Sequence, residues 1–243
     1  DGQNLLMCIS RTILLPLLVP LSYFYGFIIS IRNSLYNIKL FRFKTFEIPI
    51  ISVGNITTGG TGKTPMVIYL VKLLESNGFN PGIVSRGFRR NTKGVLIVHD
   101  GNNLLTDVFD AGDEPYLMGK KLNNIPIIVS ENRTTGINEL LNKFLVDVVI
   151  LDDAFQHRKV ERDMDIVMIS AFDNLDDYHL LPWGKLRESL NGLKRAQCII
   201  YTKTPQFQNP SIHKRLKPYL INSPIASIMK STLMKRDETG YHK

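Results

Sequence analysis

Eight consecutive residues, Thr57-Thr58-Gly59-Gly60-Thr61-Gly62-Lys63-Thr64, carry the clearest chemistry in the chain. Small residues and glycines let backbone N–H groups curl around phosphate oxygens. The lysine can then reach the terminal phosphates, and the Thr64 hydroxyl can bind Mg²⁺. The usual phosphate loop starts with glycine, and here that position holds Thr57. Loop and ending together point to binding of a nucleoside triphosphate with its magnesium.

A second cluster is Val148-Val149-Ile150-Leu151-Asp152-Asp153, four apolar residues ending in two acids. Beside a phosphate loop, an acid at the end of a buried strand holds magnesium, so at least one of Asp152 and Asp153 is expected at the metal. His157 follows closely; it can contact phosphate or a second substrate, or serve structure alone. Gly112-Asp113-Glu114-Pro115 opens a helix. Asp113 suits an N-cap, with Pro115 in the first turn, yet a carboxylate beside a nucleotide can also take the proton of an attacking hydroxyl. Ser85-Arg86-Gly87-Phe88-Arg89-Arg90 offers guanidinium groups and an aromatic face, which suits a phosphorylated sugar.

These residues need elements to hold them. Apolar runs predict strands at 48–53, 82–85, 94–98, 125–129, 146–151, 165–169 and 198–202, with helices at 64–76, 114–122 and 132–144. Near-continuous Val/Ile runs mark strands covered on both faces, as in a parallel sheet. The alternation predicts a doubly wound, mainly parallel α/β sheet of the P-loop NTPase kind, with the glycine loop at a strand's carboxyl end.

The 243 residues carry a formal charge of +8. An anionic partner follows from that balance: nucleic acid, an anionic membrane surface or a phosphorylated substrate. Two distant cysteines, Cys8 and Cys198, indicate neither a disulfide framework nor a zinc cluster. From Thr12 to Ile31 no residue is charged, a run long enough to cross a bilayer core as a helix, although Pro16, Pro20 and Gly26 interrupt it. No small-x-small cleavage site follows it. Arg32, Lys39, Arg42 and Lys44 come next, which keeps the following domain cytoplasmic. Interfacial anchoring, a single span and a buried helix pair all remain open for this segment.

In order along the chain stand Val53-Gly54-Asn55, Gly59-Gly60-Thr61-Gly62-Lys63-Thr64-Pro65, Ser85-Arg86-Gly87-Phe88, Gly112-Asp113-Glu114-Pro115, Asp152-Asp153-Ala154-Phe155-Gln156-His157 and Gly184-Lys185-Leu186-Arg187-Glu188. With these motifs the chain resembles the tetraacyldisaccharide 4′-kinases, inner-membrane enzymes that phosphorylate the lipid A precursor. The resemblance implies ATP and Mg²⁺ as cofactors, an anionic glycolipid substrate and no nucleic acid. It implies a place on the cytoplasmic face of the bacterial inner membrane, monotopic or single-span. Lys63 and Thr64 then handle ATP phosphates and Mg²⁺, and Asp152 and Asp153 match the acidic pair at the metal. Asp113 matches the catalytic base with Glu114 beside it, His157 and Glu188 match active-site polar residues, and Arg86 and Phe88 fall where the lipid is contacted. The family accepts Ser or Thr at the position of Thr57, and usually has glycine where Ala154 stands.

The same resemblance implies a later portion carrying a Phe-x-Asp-His-type motif, whose histidine partners the catalytic aspartate. No match to it occurs here, and the chain opens at Asp1 without methionine, so a truncated chain is expected. The expected organisation is a membrane-associating segment at 1–45, a P-loop kinase domain at 46–205 and a partial carboxy-terminal region at 206–243. A non-catalytic, membrane-docked nucleotide switch is the alternative function.

Overall fold

The computed structural model describes residues 2–204, 211–220 and 225–229, with side chains described over 14–203 and 212–220. In chain order the elements are α1 (Gly2–Asn37), β1 (Ile50–Asn55), α2 (Lys63–Ser76), β2 (Pro81–Ser85), β3 (Leu96–Asp100), α3 (Val108–Ala111) and α4 (Asp113–Lys121). They continue with β4 (Pro126–Val129), α5 (Arg133–Lys143), β5 (Val148–Asp152), β6 (Met164–Ser170), β7 (Cys198–Thr204), α6 (Ser211–Leu216) and β8 (Ile225–Met229). The strands form one eight-stranded sheet in the order β3-β4-β2-β5-β1-β6-β7-β8. Every pairing is parallel except β3 with β4, which puts a single antiparallel strand at one edge.

Strand alternation sends side chains to two covered faces, as the Val/Ile runs predict. On one face Val53, Ile83, Ile127, Ile150 and Ile166 pack under α2 and α4 through Met66, Val67, Leu70 and Met118. On the other, Ile50, Val84, Ile128, Val149 and Leu151 pack under α5 through Ile137 and Leu140. Farther along that second face, Val167, Ile169, Ile199 and Tyr201 are covered by Tyr178, Leu186 and Leu193, and by Ile212 and Leu216 of α6. The sheet is therefore doubly wound. All seven predicted strands are present within about two residues of their expected ends; β8, which falls in the region where the apolar pattern fades, extends the same sheet.

The prolines do not break α1. Pro16 and Pro20 lie inside one helix from Gly2 to Asn37. Each ring deletes one bond to the residue four earlier, and the four-residue spacing stacks the two defects on one exposed side, where no packed neighbour is disturbed. Within α1, Leu14–Asn37 is long and apolar enough to cross a membrane.

Gly54 is the tightest point between two site-bearing segments. A Cβ there would stand 2.6 Å from Phe155 Cβ and 2.8 Å from Phe155 N, so the turn after β5 rests directly on the β1 backbone. Gly54→Ala is expected to destabilise the protein by about 1–3 kcal/mol through overpacking. Urea unfolding with an unchanged denaturant slope checks it; a midpoint equal to wild type would mean that the turn can move aside freely.

Candidate active site

β1 delivers the chain into the glycine loop, and Gly62 takes the cap position of α2 in the left-handed region, with φ 83°. No side chain caps that helix, so its first N–H groups stay available to an anion. Donors hold the loop carbonyls from outside. Thr202 Oγ1 donates to Thr61 O at 2.9 Å, Lys203 Nζ to Gly60 O at 3.0 Å, and Asn55 Nδ2 to Gly59 O at 3.4 Å. Thr57, Thr61, Lys63 and Thr64 are buried. Thr58 N donates to Lys185 O and Arg187 N to Ile56 O, which brings the Gly184–Glu188 motif alongside.

The acidic pair ends β5. Asp152 is fully buried, and Ser85 Oγ donates to its Oδ2 at 2.9 Å. Its Oδ1 has no partner among the described residues. Burial, with Glu114 nearby, pushes the Asp152 carboxyl up to about 6 against the pull of Ser85 and Lys63. Asp153, in the left-handed region at φ 48°, has the opposite fate. Burial works to raise it, but Lys63 and Arg187 outweigh burial and hold it below the ordinary carboxylate range. Lys63 Nζ lies 3.5 Å from Asp153 Oδ1, and Arg187 Nη1 lies 2.9 and 3.0 Å from the two oxygens. Behind the pair, buried Arg133 donates to the carbonyls of Ser130 and Asp152.

A cleft of about 570 Å³ joins these groups: Thr58, Gly59 and Lys63 from the loop, Ser85 at the end of β2, Arg86 and Phe88 after it, Glu114 from α4, and Asp152 and Asp153. Two glycines seat the β2 loop on α4. A Cβ on Gly87 would meet Ala111 O at 2.9 Å, and one on Gly112 would meet Phe88 O at 2.9 Å, both at positive φ. Gly112 takes the cap position expected of Asp113; Asp113 is the first helical residue, exposed, with no side-chain partner among the described residues. It borders the cleft through Glu114 rather than lining it.

His157 and Glu188 do not line the cleft. Glu188 is fully buried, held by Arg195 at 2.9 Å, Asn33 of α1 at 3.1 Å and Gln156 at 3.1 Å. Gln156 in turn lines the cleft, so Glu188 reaches the site through it. His157 is half-buried, and its Nε2 has no partner among the described residues. Burial first, then Arg133, Lys159 and Arg162, push its pKa down to about 4.

Sequence reasoning passed over Ser85 and Arg187 as site residues, and over the α1 wall made by Tyr25, Ile29 and Arg32. Arg187 stood within a quoted motif. The spacing of Tyr25, Ile29 and Arg32, at i, i+4 and i+7, was the available signal for one inward helix face.

Comparison with known proteins follows the same lines. Residues 14–238 match the family model described as tetraacyldisaccharide-1-P 4′-kinase. A tetraacyldisaccharide 4′-kinase of Chlorobaculum tepidum is 43% identical over 218 residues, covering 83% of this chain and 62% of the relative. One from Aquifex aeolicus is 44% identical over 185 residues, covering 76% of this chain and 58% of the relative. The chain thus spans about three-fifths of the length of these relatives. The crystal structure of LpxK from Aquifex aeolicus in complex with ATP superposes with a TM-score of 0.73 at 32% identity, covering 95% of this chain and 86% of that one.

His157 makes the fold acid-sensitive. Its native pKa of about 4 lies below the ordinary value of 6.5, so as pH falls from 6.5 toward 4 the unfolded chain takes up a proton that the native state refuses. Stability is lost in that window, by on the order of 1–2 kcal/mol after allowance for solvent screening. His157→Gln should flatten the fall in melting temperature between pH 6.5 and 4. Parallel pH profiles for wild type and variant would place the acid sensitivity elsewhere.

Proposed function

The chain belongs to the tetraacyldisaccharide-1-P 4′-kinase family, and on that premise we propose that it transfers the γ-phosphate of ATP to the 4′-hydroxyl of a tetraacyldisaccharide 1-phosphate, the lipid A precursor. The observation that carries the reading is one cleft holding the phosphate loop, the acidic pair, the Arg86–Phe88 loop and the inward face of an apolar helix.

In this reading the loop N–H groups and Lys63 bind the β- and γ-phosphates of ATP. Lys63 exchanges its contact with Asp153 for the phosphates, while Arg187 keeps Asp153 neutralised. Thr64 and Asp152 would hold Mg²⁺. The fit rests on hard oxygen donors and on Asp152 Oδ1, a buried carboxylate oxygen with no partner among the described residues. When bound, the ion spreads the charge that develops between the phosphates. Asp113 takes the proton of the 4′-hydroxyl as the hydroxyl oxygen bonds to the γ-phosphorus and the bond to ADP breaks. Its exposure and freedom from partners suit a group that must meet an incoming substrate. Glu114 keeps the local field negative, and Arg86 and Phe88 contact the disaccharide. His157, neutral at physiological pH, and Glu188, through Gln156, support the site from behind.

The protein works at the cytoplasmic face of the inner membrane, with α1 lying in the interface. Leu17, Leu21, Phe24, Ile28 and Ile31 are exposed along one side of the helix. On the other side Ser22 donates to Leu180 O at 2.8 Å and Tyr25 to Arg187 O at 2.7 Å. A helix bound to polar loops along one side and bare and apolar on the other suits the interface better than a full crossing.

Lys63→Ala should lower transfer from γ-labelled ATP to the lipid disaccharide by at least a hundredfold, with unchanged circular dichroism. Wild-type turnover would remove the phosphate-loop assignment, and ATP binding without any transfer by the wild type would favour a nucleotide switch. Asp113→Asn should cut turnover by a few orders of magnitude and leave ATP affinity unchanged. Activity within a few-fold of wild type would leave Asp113 only its favourable place at the start of a helix.

A further inference from the structure

The inward face of α1 has a chemistry that anchoring does not require. Ser22, Tyr25 and Asn33 tie the helix down through hydrogen bonds to Leu180, Arg187 and Glu188. Arg32 takes no part in that attachment. Among the described residues its one side-chain bond runs to its neighbour, Nη2 to Asn33 Oδ1 at 3.2 Å, and no carboxylate pairs with it. Its Nε is buried and also without a partner there. Yet Arg32 lines the same cleft as Lys63 and Asp152, with Tyr25 and Ile29 on the same helical stripe.

A guanidinium held partly out of water with no counter-charge is costly unless a ligand supplies one. The carboxylates of the cleft do not supply it. Asp153 is committed to Lys63 and Arg187, Asp152 is bonded to Ser85, and Glu114, which also lines the cleft, makes no ion pair with Arg32 among the described residues. Glu188, on the same inward side of α1, is committed to Arg195, Asn33 and Gln156. The missing charge must arrive with a substrate. ATP is held at the glycine loop; the other substrate enters along the helix whose outer side is apolar.

We propose that Arg32 is a specificity-determining residue that binds the phosphate already present on the glycolipid acceptor, with Tyr25 and Ile29 forming the adjoining wall against the sugar. The inference rests on the kinase reading above, which supplies an acceptor bearing a 1-phosphate. It makes α1 a substrate-reading element as well as an anchor: the outer stripe meets lipid, and the inner stripe ends in the cation that checks for the phosphate. Guanidinium suits that task because its fork pairs with phosphate through two parallel N–H···O bonds.

The test compares two acceptors, the disaccharide lipid with its 1-phosphate and the same lipid without it, each presented in mixed micelles to the chain. Binding is measured directly by calorimetry and transfer by labelled ATP. Arg32→Gln should weaken binding of the phosphorylated acceptor about tenfold or more, and lower kcat/KM in proportion. Binding of the dephosphorylated acceptor should change less than about threefold, with ATP affinity unaltered. Arg32→Lys should recover part of the loss. Equal losses for both acceptors would overturn the proposal and leave Arg32 a merely structural residue, as would no loss for either. Should the wild type bind both lipids yet transfer phosphate to neither, the kinase reading fails, while the binding comparison still decides the role of Arg32.

Discussion

Two adjacent carboxylates at the end of a fully buried strand are the demand around which the site is built. Burial works to raise the pKa of both. The protein answers each differently. Asp153 is drawn into an ion pair with Lys63 and Arg187, and becomes the more acidic of the two. Asp152 receives only a hydroxyl, from Ser85, and is left with an open oxygen and a raised pKa. The end of β2, the motif at Gly184–Glu188 and the glycine loop converge here, and each brings a group that bonds one of these acids.

The apolar helix is joined to that centre rather than appended to it. Glu188 is buried inside the protein and shares its carboxyl oxygens among Arg195, Gln156 and Asn33. Gly192 makes this possible, since a Cβ there would stand 2.5 Å from Glu188 Oε2. The seating of α1 and the position of Gln156 in the cleft therefore depend on one buried side chain. Arg158 reinforces the join through the carbonyl of Asn33 and the side chain of Asn37.

Much of this was legible in the residues. The glycine loop, the acidic strand end and the order of the motifs pointed to the correct fold, because each is a local pattern with a local cause. The continuity of α1 was not legible. Each proline removes a backbone bond and crowds the preceding turn, which reads as an interruption, yet both are carried on the exposed side of one continuous helix. Nor could the sequence separate the duties of Asp152 and Asp153. Their difference comes from the complete burial of Asp152 with Glu114 nearby, and from Lys63 and Arg187 beside Asp153, all distant along the chain. Glu188 read as a residue of the site itself, whereas its complete burial and its partners make it a support.

The carbonyls of Gly59, Gly60 and Thr61 each accept a bond from outside the loop, from Asn55, Lys203 and Thr202. A peptide unit whose oxygen is drawn outward turns its N–H the other way, so the bonds to Gly59 O and Thr61 O turn the Gly60 and Gly62 N–H groups toward the hollow, while the Thr61 N–H is spent on Gly59 O at 3.1 Å. The concave side is left electropositive by geometry, before any lysine is counted, and the electronegative side is spent on the neighbouring strands. Selection of an anion over a cation is thus written into the orientation of the Gly60 and Gly62 amides, and its guarantors stand at the ends of β1 and β7.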